Sequence, residues 1–258
     1  MSRFTRALVC PPAASFDAGL TTAALGAPDL ARAREQHERY CAALAELGLA
    51  LVHLAPDERF PDSTFVEDAA VVTSELAVIT RPGAPSRLGE TEAVEAALRE
   101  LFQRVERIEP PGTLDGGDVC EAGEQVFIGV SQRTNEHGAR QLAALLEREG
   151  FAATLVDIRA VPGILHLKSG LAHPGERDLV LIDALAEHPA FRGWRALRVP
   201  RGEEYAANCV RVNERVLVPA GFPRVAETLE RAGHAPLTLD MSEFEKQDGG
   251  LSCLSLRW

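Results

Sequence analysis

Apolar, β-rich segments recur along the chain, and most are followed by a helical pattern and then by a further short strand. Turn residues (Thr-Ser-Glu, Ala-Gly-Glu, Pro-Gly-Glu and Asn-Glu) separate apolar runs in four of them, which predicts β-hairpins. The five segments are TFVEDAAVVTSELAVIT from Thr64, GGDVCEAGEQVFIGV from Gly116, LHLKSGLAHPGERDLVLID from Leu165, AANCVRVNERVLVPAG from Ala206 and LSCLSLRW from Leu251. The pattern predicts a repeated unit of hairpin, helix and strand.

Apolar residues at helical spacing predict the helices between these strands. One such helix ends at Gly48, and another begins at Asn135 or Thr134, as its N-cap, and ends at Gly150. The corresponding stretch around Pro189 is weak, because proline interrupts the helical pattern.

The two ends of the chain complete the repeat. FTRALVC supplies one strand before the first helix, and the C-terminal LSCLSLRW supplies its partner. Pairing these strands closes a ring of five units, which leaves few exposed sheet edges. We therefore predict an α/β fold, a five-bladed pseudo-symmetric propeller formed by residues 1–258 as a single domain. The alternative is an open α/β sheet in which the periodicity is a coincidence.

Composition restricts the classes of function. With 46% hydrophobic and 25% charged residues, the 258-residue chain has the profile of an ordinary globular protein. No apolar run approaches the roughly 18 residues of a membrane helix, and no secretory signal is recognisable, so we expect a cytoplasmic protein. The net charge of −11 argues against nucleic acid or an anionic membrane as partner and mildly favours a cationic substrate. No glycine-rich phosphate loop indicates a nucleotide.

The ring predicts where polar residues meet. Equivalent strands of a propeller point into one central channel, so the residues at their starts should face one another. An Asp-Gly-Gly-x-x-Cys pattern occurs at two such starts, in LDGGDVC and in QDGGLSC. Small glycines there let the backbone pass close to a neighbour or a ligand. The residues brought together are Glu67, Asp68, Asp115, Asp118, His166, Asn208 and Cys253.

The five cysteines form no CxxC pair, which disfavours a disulfide scaffold or a four-cysteine zinc site. The default interpretation of each is a small buried residue. Cys253 is the candidate nucleophile, since His166 opens the fourth hairpin as Cys253 opens the fifth and could serve as its base. Cys120 competes, but its carboxylate neighbours oppose a thiolate. We assign Cys120, with Cys10, Cys41 and Cys209, to structural roles.

Residues 57–72, DERFPDSTFVEDAAVV, place five carboxylates around two phenylalanines. Paired carboxylates bind a guanidinium through parallel charge-assisted hydrogen bonds, so this segment suits a pocket for a cationic group. A solvated loop is the ordinary interpretation of such a run, and a metal site is a rival one. The histidine spacing gives the metal site little support.

The motifs FPDSTFVEDAAVV, ITRPGAPSR, GTLDGGDV, IGVSQRTNEHGA, LHLKSGLA, YAANCV and KQDGGLSCLS, in this order, resemble the dimethylarginine dimethylaminohydrolase family. The family belongs to the guanidino-modifying enzymes of the pentein fold, a five-bladed α/β propeller, and the resemblance runs from about Leu8 to Trp258. It implies that Cys253 is the nucleophile, His166 the general acid and base, and Asp115 the acidic group that orients the histidine and the guanidinium.

The resemblance also implies a set of substrate contacts. Glu67 and Asp68 would hold the guanidinium, and Arg87 and Arg133 would bind the α-carboxylate.

At the other end of the substrate, Asp62 would serve the α-amine, Phe65 would line the pocket, and Leu20 would belong to a lid. Gln247 matches a backbone-contact position that is usually apolar, so it departs from the family pattern.

The implied activity is hydrolysis of asymmetric dimethylarginine and monomethylarginine to citrulline and dimethylamine or methylamine, through a covalent thiouronium on Cys253. Such an enzyme is a hydrolase of linear amidines that needs no metal and no other cofactor, and we expect a monomer or homodimer. Two alternatives stay open. One is another guanidine reaction on the same fold, arginine deimination or amidino transfer, and the other is a non-catalytic protein that binds arginine-like ligands.

Overall fold

The structure, a computed structural model that describes residues 3–258, contains five three-stranded sheets. In each sheet the middle strand pairs antiparallel with one neighbour and parallel with the other. This is the predicted unit of a hairpin followed, after a helix, by a third strand. The five sheets confirm the predicted five-bladed α/β propeller and exclude one open sheet.

The strands are short and lie close to the predicted segments. Their bounds are β1 Arg6–Val9, β2 Ala50–His53, β3 Ala70–Val72, β4 Leu76–Ile79, β5 Arg104–Arg107, β6 Val119–Ala122, β7 Gln125–Val130, β8 Ala152–Asp157, β9 Leu171–Gly175, β10 Asp178–Leu181, β11 Arg195–Arg198, β12 Val210–Val212, β13 Arg215–Pro219, β14 Pro236–Leu239 and β15 Leu256–Arg257.

The ring is closed by the two ends of the chain, as predicted. Strand β15 pairs antiparallel with β1, with Ala7 opposite Arg257 and Leu8 opposite Leu256, and β2 pairs parallel with β1 on the other side. The first blade is therefore built from both ends of the sequence, and the segment that carries Cys253 leads directly into this pairing.

The helices are α1 Leu30–Glu46, α2 Thr91–Leu101, α3 Glu136–Arg148, α4 Asp183–Ala186, α5 Pro223–Arg231 and α6 Ser242–Glu245. Asn135 caps α3 by accepting a hydrogen bond from the Gly138 N–H at 2.8 Å, which settles the two predicted alternatives. Gly48 follows α1 with φ of +91°, the left-handed conformation that ends helices. The stretch before Pro189 forms only the one-turn α4, as its weak pattern predicts. No helix among residues 3–258 has both the length and the apolar character needed to cross a lipid bilayer.

Helices α1, α2, α3 and α5 each pack an apolar face against the sheets. For example, Leu142 and Leu146 of α3 and Ile128 of β7 lie in one cluster, and all three are at most 1% exposed. Burying one such side chain stabilises the fold by about 1.5–3 kcal/mol. The helices therefore form the outside of the ring and leave the inner strands β3, β6, β9, β12 and β15 around its centre.

Each inner strand is preceded by a short 3₁₀ turn. The five turns, called here the central turns, comprise residues 66–69, 116–118, 167–169, 204–207 and 252–254. Side chains link each turn to the next. The Gly117 N–H donates to Asp68 Oδ1 at 2.9 Å, and the Leu167 N–H donates to Asp118 Oδ1 at 2.9 Å.

Asn208 and Ser252 complete this ring of hydrogen bonds. Asn208 Nδ2 donates to the Lys168 carbonyl at 3.1 Å, and its Oδ1 accepts from the Ser252 N–H at 2.9 Å. Ser252 Oγ then donates to Glu67 Oε2 at 2.7 Å, which returns to the first turn. The central turns thus hold one another at fixed separations, with one polar group of each blade directed at the next.

Candidate active site

The central turns bring together the residues predicted to carry chemistry. Glu67 and Asp68 lie in the turn 66–69, Asp115 and His166 directly precede the turns 116–118 and 167–169, and Cys253 lies in the last turn. The structure thus places carboxylates, a histidine and a cysteine from four blades in or directly beside the central turns, and their chemical roles stay predictions.

His166 is held by Asp115. Its Nε2 lies 3.0 Å from Asp115 Oδ2, and both residues are buried, Asp115 completely. The other carboxylate oxygen of Asp115 accepts from the Gly83 N–H at 2.8 Å, while the Asp115 N–H donates to Thr134 Oγ1 at 3.1 Å. The carboxylate is therefore fixed in position, and it fixes the plane of the imidazole.

His166 carries a positive charge at neutral pH. Burial opposes this charge, but Asp68, the hydrogen bond with Asp115, and Asp118 together raise the pKa of His166 to about 9. Burial likewise opposes the charge of Asp68, yet His166, Arg87 and the Gly117 N–H hold the pKa of that carboxyl well below its usual range. The imidazolium is therefore available as a proton donor at neutral pH.

Cys253 is protonated at neutral pH. Burial, followed by the charges of Glu67 and Asp68, raises the pKa of the Cys253 thiol to about 12, while the Gly250 N–H and Lys168 act in the opposite direction. The Gly250 N–H lies 3.4 Å from Sγ. The side chain is partly exposed, whereas the other four cysteines are buried. Burial raises the pKa of Cys10 and of Cys41 to about 11, and the pKa of Cys120 and of Cys209 to about 12. These buried, protonated thiols agree with the structural roles predicted for the four cysteines.

Lys168 and Ser252 belong to the site but were missed by the sequence analysis. Lys168 Nζ lies 2.6 Å from Glu67 Oε1, and Ser252 Oγ occupies the other oxygen of the same carboxylate. Arg257 adds a second cation 3.6 Å from Glu67. The carboxylate of Glu67 is therefore paired with two cationic side chains, those of Lys168 and Arg257. The helpful signal was the position of Lys168, two residues after His166 and inside the central turn 167–169.

Arg87 lies deeper than its predicted role suggests. Its Nη1 binds Asp68 Oδ2 at 2.6 Å, and Nη2 lies 2.8 Å from Glu90 Oε2 and 3.3 Å from the carbonyls of Asp62 and Phe65. The side chain is buried among these acceptors, so in the empty protein it orients Asp68. Contact with a substrate carboxylate remains a prediction for Arg87.

Arg133 has a hydrogen-bond donor that is not used within residues 3–258 of the protein. Its Nη1 is buried without a hydrogen-bond partner and lies 3.8 Å from Asp115 Oδ2. A buried guanidinium nitrogen lacking an acceptor favours an incoming anionic group. This geometry supports Arg133, more directly than Arg87, as the predicted ligand of a carboxylate.

The loop after Phe16 covers one side of the site. Its Leu20 N–H donates to both oxygens of Asp62, at 3.1 and 3.2 Å, and the Leu20 side chain is 42% exposed. Phe65 packs instead into an apolar cluster, with ring centroids 6.0 Å from Phe16 and 6.3 Å from Phe244. Phe65 therefore supports the loop from beneath, and its contact with a ligand stays a prediction.

Asp68, Asp115 and His166 could share a metal ion, because one ligand atom from each lies within 4.8 Å of the others. Each of these residues already has a partner within the protein: His166 binds Asp115, and Asp68 binds Arg87 and Gly117. The three residues therefore belong to a buried network of hydrogen bonds and charges. That the site uses no metal stays a prediction.

The predicted central channel is present beyond these residues. A cavity of about 800 Å³ is lined by the inner strands, with Glu67 and Lys168 at its boundary, and His166 and Cys253 are not among its lining residues. The Glu67–Lys168 ion pair therefore separates this cavity from the nucleophile.

Gly117 is needed for the position of His166. A Cβ at this position would lie 2.7 Å from His166 Nδ1 and 2.8 Å from Asp68 Oδ1. We expect Gly117→Ala to lower kcat for the expected hydrolysis of methylarginine by about 10²-fold. The added methyl group would push the His166 imidazole aside, and a displacement of about 1 Å misaligns a reacting group. Steady-state kinetics checks this, with the melting temperature as the control for folding. Unchanged kcat in a folded variant would contradict the assigned position of the imidazole.

Comparison with known proteins gives a consistent set of similarities. A family model described as arginine deiminase matches residues 58–189. The N(G),N(G)-dimethylarginine dimethylaminohydrolase of Pseudomonas aeruginosa is 46% identical over 99% of this chain and 100% of its own length. A solved structure of the Pseudomonas aeruginosa protein, a cysteine-to-serine mutant in complex with citrulline, is 44% identical, covers 100% of both chains and has a TM-score of 0.96. A histidine-to-glycine dimethylarginine dimethylaminohydrolase in an adduct with S-methyl-L-thiocitrulline is 45% identical over 99% of this chain and 100% of its own, with a TM-score of 0.94.

Proposed function

This chain belongs to the dimethylarginine dimethylaminohydrolase family, and on that premise we propose that it hydrolyses N-omega-methylated arginines to citrulline and a methylamine. One observation carries the proposal: a buried His166 bound to Asp115 and a partly exposed Cys253 both lie near Asp68 among the carboxylates of the central turns. Such a site offers a nucleophile, a proton donor and binding groups for a planar cation.

The carboxylates act first, by binding the cation. The guanidinium carbon is a poor electrophile because its charge is delocalised, so the reacting atoms must be held in line. Asp68 is kept ionised and fixed by Arg87, and Asp115 is fixed by Gly83, which makes both suitable acceptors for guanidinium N–H groups. Arg133 supplies the donor for the substrate carboxylate.

The covalent steps then follow from the two titrating groups. When the cation binds, the Cys253 thiol gives up its proton to solvent, and the resulting thiolate attacks the guanidinium carbon and forms a C–S bond. The C–N bond to the methylated nitrogen breaks as His166 gives its proton to the departing amine, leaving a planar thiouronium on Cys253. Water attacks the same carbon and loses one proton to His166 and a second to solvent, and the C–S bond breaks to release citrulline and the thiolate.

The test is product release from asymmetric dimethylarginine, with free arginine beside it and Cys253→Ser as the control. We expect citrulline and dimethylamine from the wild-type protein and neither from the variant. Ammonia from arginine, with no dimethylamine, would show that the chain is a deiminase. If neither substrate turns over, the alternative of a non-catalytic binding protein replaces the proposal.

Arginine deimination is the second candidate, and the match of residues 58–189 to the arginine deiminase family model favours it. It would use the same nucleophile and proton donor with ammonia as the leaving group. The higher similarity to dimethylarginine dimethylaminohydrolases over the full length ranks it second.

A further inference from the structure

The loop beside the site lies over a pair of buried polar side chains. Its residues 20–22 are tied to the protein at two points, where the Leu20 N–H bonds Asp62 and the Thr22 side chain bonds Asp248 at 2.9 Å. Gln247 directly precedes Asp248 in sequence and is only 4% exposed, and Asp62 is 6% exposed. The loop therefore shields Asp62 and Gln247 from bulk water.

Gln247 carries an oxygen without a partner. Its Oε1 is buried and accepts no hydrogen bond. A buried acceptor left unpaired is costly, and nearly all such groups in native proteins are satisfied by protein, water or ligand. An unpaired oxygen in this shielded position indicates that a donor arrives when the site is occupied.

The surroundings of Gly19 show that the unpaired oxygen of Gln247 lies near Asp62. A methyl group built on Gly19 would be 2.7 Å from Asp62 Oδ1 and 3.2 Å from Gln247 Oε1, so the two oxygens are close enough together to accept hydrogen bonds from one group. Two neighbouring acceptors suit a group with several N–H donors. The carboxylate of Asp62 supplies negative charge there, which favours a cationic donor.

We propose that Gln247 accepts a hydrogen bond from the α-ammonium group of the substrate through its side-chain amide, and that with Asp62 it selects ligands that bear this group. The inference rests on the proposed function, which supplies an amino-acid substrate, and it adds a side-chain contact to a position otherwise expected to use only its backbone. An ammonium has three N–H donors, so it can bind both oxygens at once. Ligands without the amine would leave the Gln247 oxygen unpaired and gain nothing from it.

The experiment compares two ligands that differ only in the amine. L-citrulline and 5-ureidopentanoate, which lacks the α-amine, are titrated calorimetrically into Cys253→Ser and into Cys253→Ser with Gln247→Met. Methionine keeps the length and volume of glutamine but has no amide. We expect the methionine variant to bind citrulline about 10-fold more weakly, which corresponds to about 1.4 kcal/mol, and 5-ureidopentanoate less than 2-fold more weakly.

Gln125→Met is the matched control, because Gln125 lies in β7 and its amide donates to Thr154 Oγ1 at 2.9 Å, away from the site. It should change neither affinity. In the protein with Cys253, Gln247→Met should raise KM for dimethylarginine and leave kcat within about 2-fold.

Equal losses for the two ligands would overturn the inference and assign Gln247 a packing role, as would unchanged affinity for citrulline. These outcomes differ from failure of the proposed function, in which citrulline does not bind even with Gln247 present and dimethylarginine is not turned over. In that event the inference falls with the function.

Discussion

The pKa of Cys253 should fall from about 12 when a guanidinium-like cation binds at the site. Burial and, after it, the charges of Glu67 and Asp68 oppose the thiolate, and a bound cation neutralises part of that negative charge while adding positive charge beside the sulfur. Each unit by which the pKa falls is about a tenfold gain in thiolate at a given pH. Thiolate absorbance near 240 nm, titrated with and without an amidine analogue of methylarginine that has no leaving group, measures this change.

The control for this titration is Cys253→Ser, which retains the four buried cysteines and should show no analogue-dependent absorbance. Its spectrum is subtracted, so that the remaining signal belongs to Cys253. If the analogue binds and the Cys253 titration does not move, substrate-assisted ionisation is wrong and the nucleophile must be activated by the protein alone.

His166→Asn should lower kcat by about 10²–10⁴-fold, since the same imidazole donates a proton to the leaving amine and then removes one from water. Asparagine retains a polar group beside Asp115 but cannot exchange protons. In the wild-type protein, kcat/KM should fall as pH rises above about 9, because the imidazolium that holds the pKa of about 9 loses its proton there. This descending limb should be absent in the variant.

Citrulline affinity of His166→Asn is the companion measurement, and it should stay within a few-fold of the wild-type value. A variant with full kcat and an unchanged descending limb above pH 9 would remove His166 from the chemistry. A large loss of affinity with normal kcat would make it a binding residue instead.

Much of the fold follows from periodicities that the sequence displays locally. Alternating apolar runs separated by turn residues predict the hairpins, and helical spacing before glycines such as Gly48 predicts the outer helices, so the five units are visible without tertiary information. The Asp-Gly-Gly repeat has a steric reason that involves neighbouring blades. A Cβ at Gly116 would collide with the Glu67 carbonyl, and one at Gly250 with the Asn208 side chain, where neighbouring turns meet.

The electrostatic partners in the site were not predictable in the same way. Lys168 stands in a segment where a lysine has no local signature, and its partner Glu67 lies in another blade. Arg87 is typical of a residue that binds substrate, yet three-dimensional packing surrounds it with Asp68 and Glu90. Pairings between blades depend on the separation of the central turns, which no sequence period encodes.

Because β1 and β15 close the ring, the site is complete only when the two ends of the chain have paired. These strands come from opposite ends of the sequence, so their pairing carries a large loop-closure entropy, and we expect it to form late in folding. Cys253 lies three residues before the start of β15, and Ser252 must reach both Asn208 and Glu67 to complete the hydrogen-bonded ring. A chain with four finished blades can possess nearly all of its helix and sheet and still lack an aligned nucleophile. During refolding, we therefore expect activity to recover with the pairing of β1 and β15, after the circular dichroism signal has reported the formation of the local helices and hairpins.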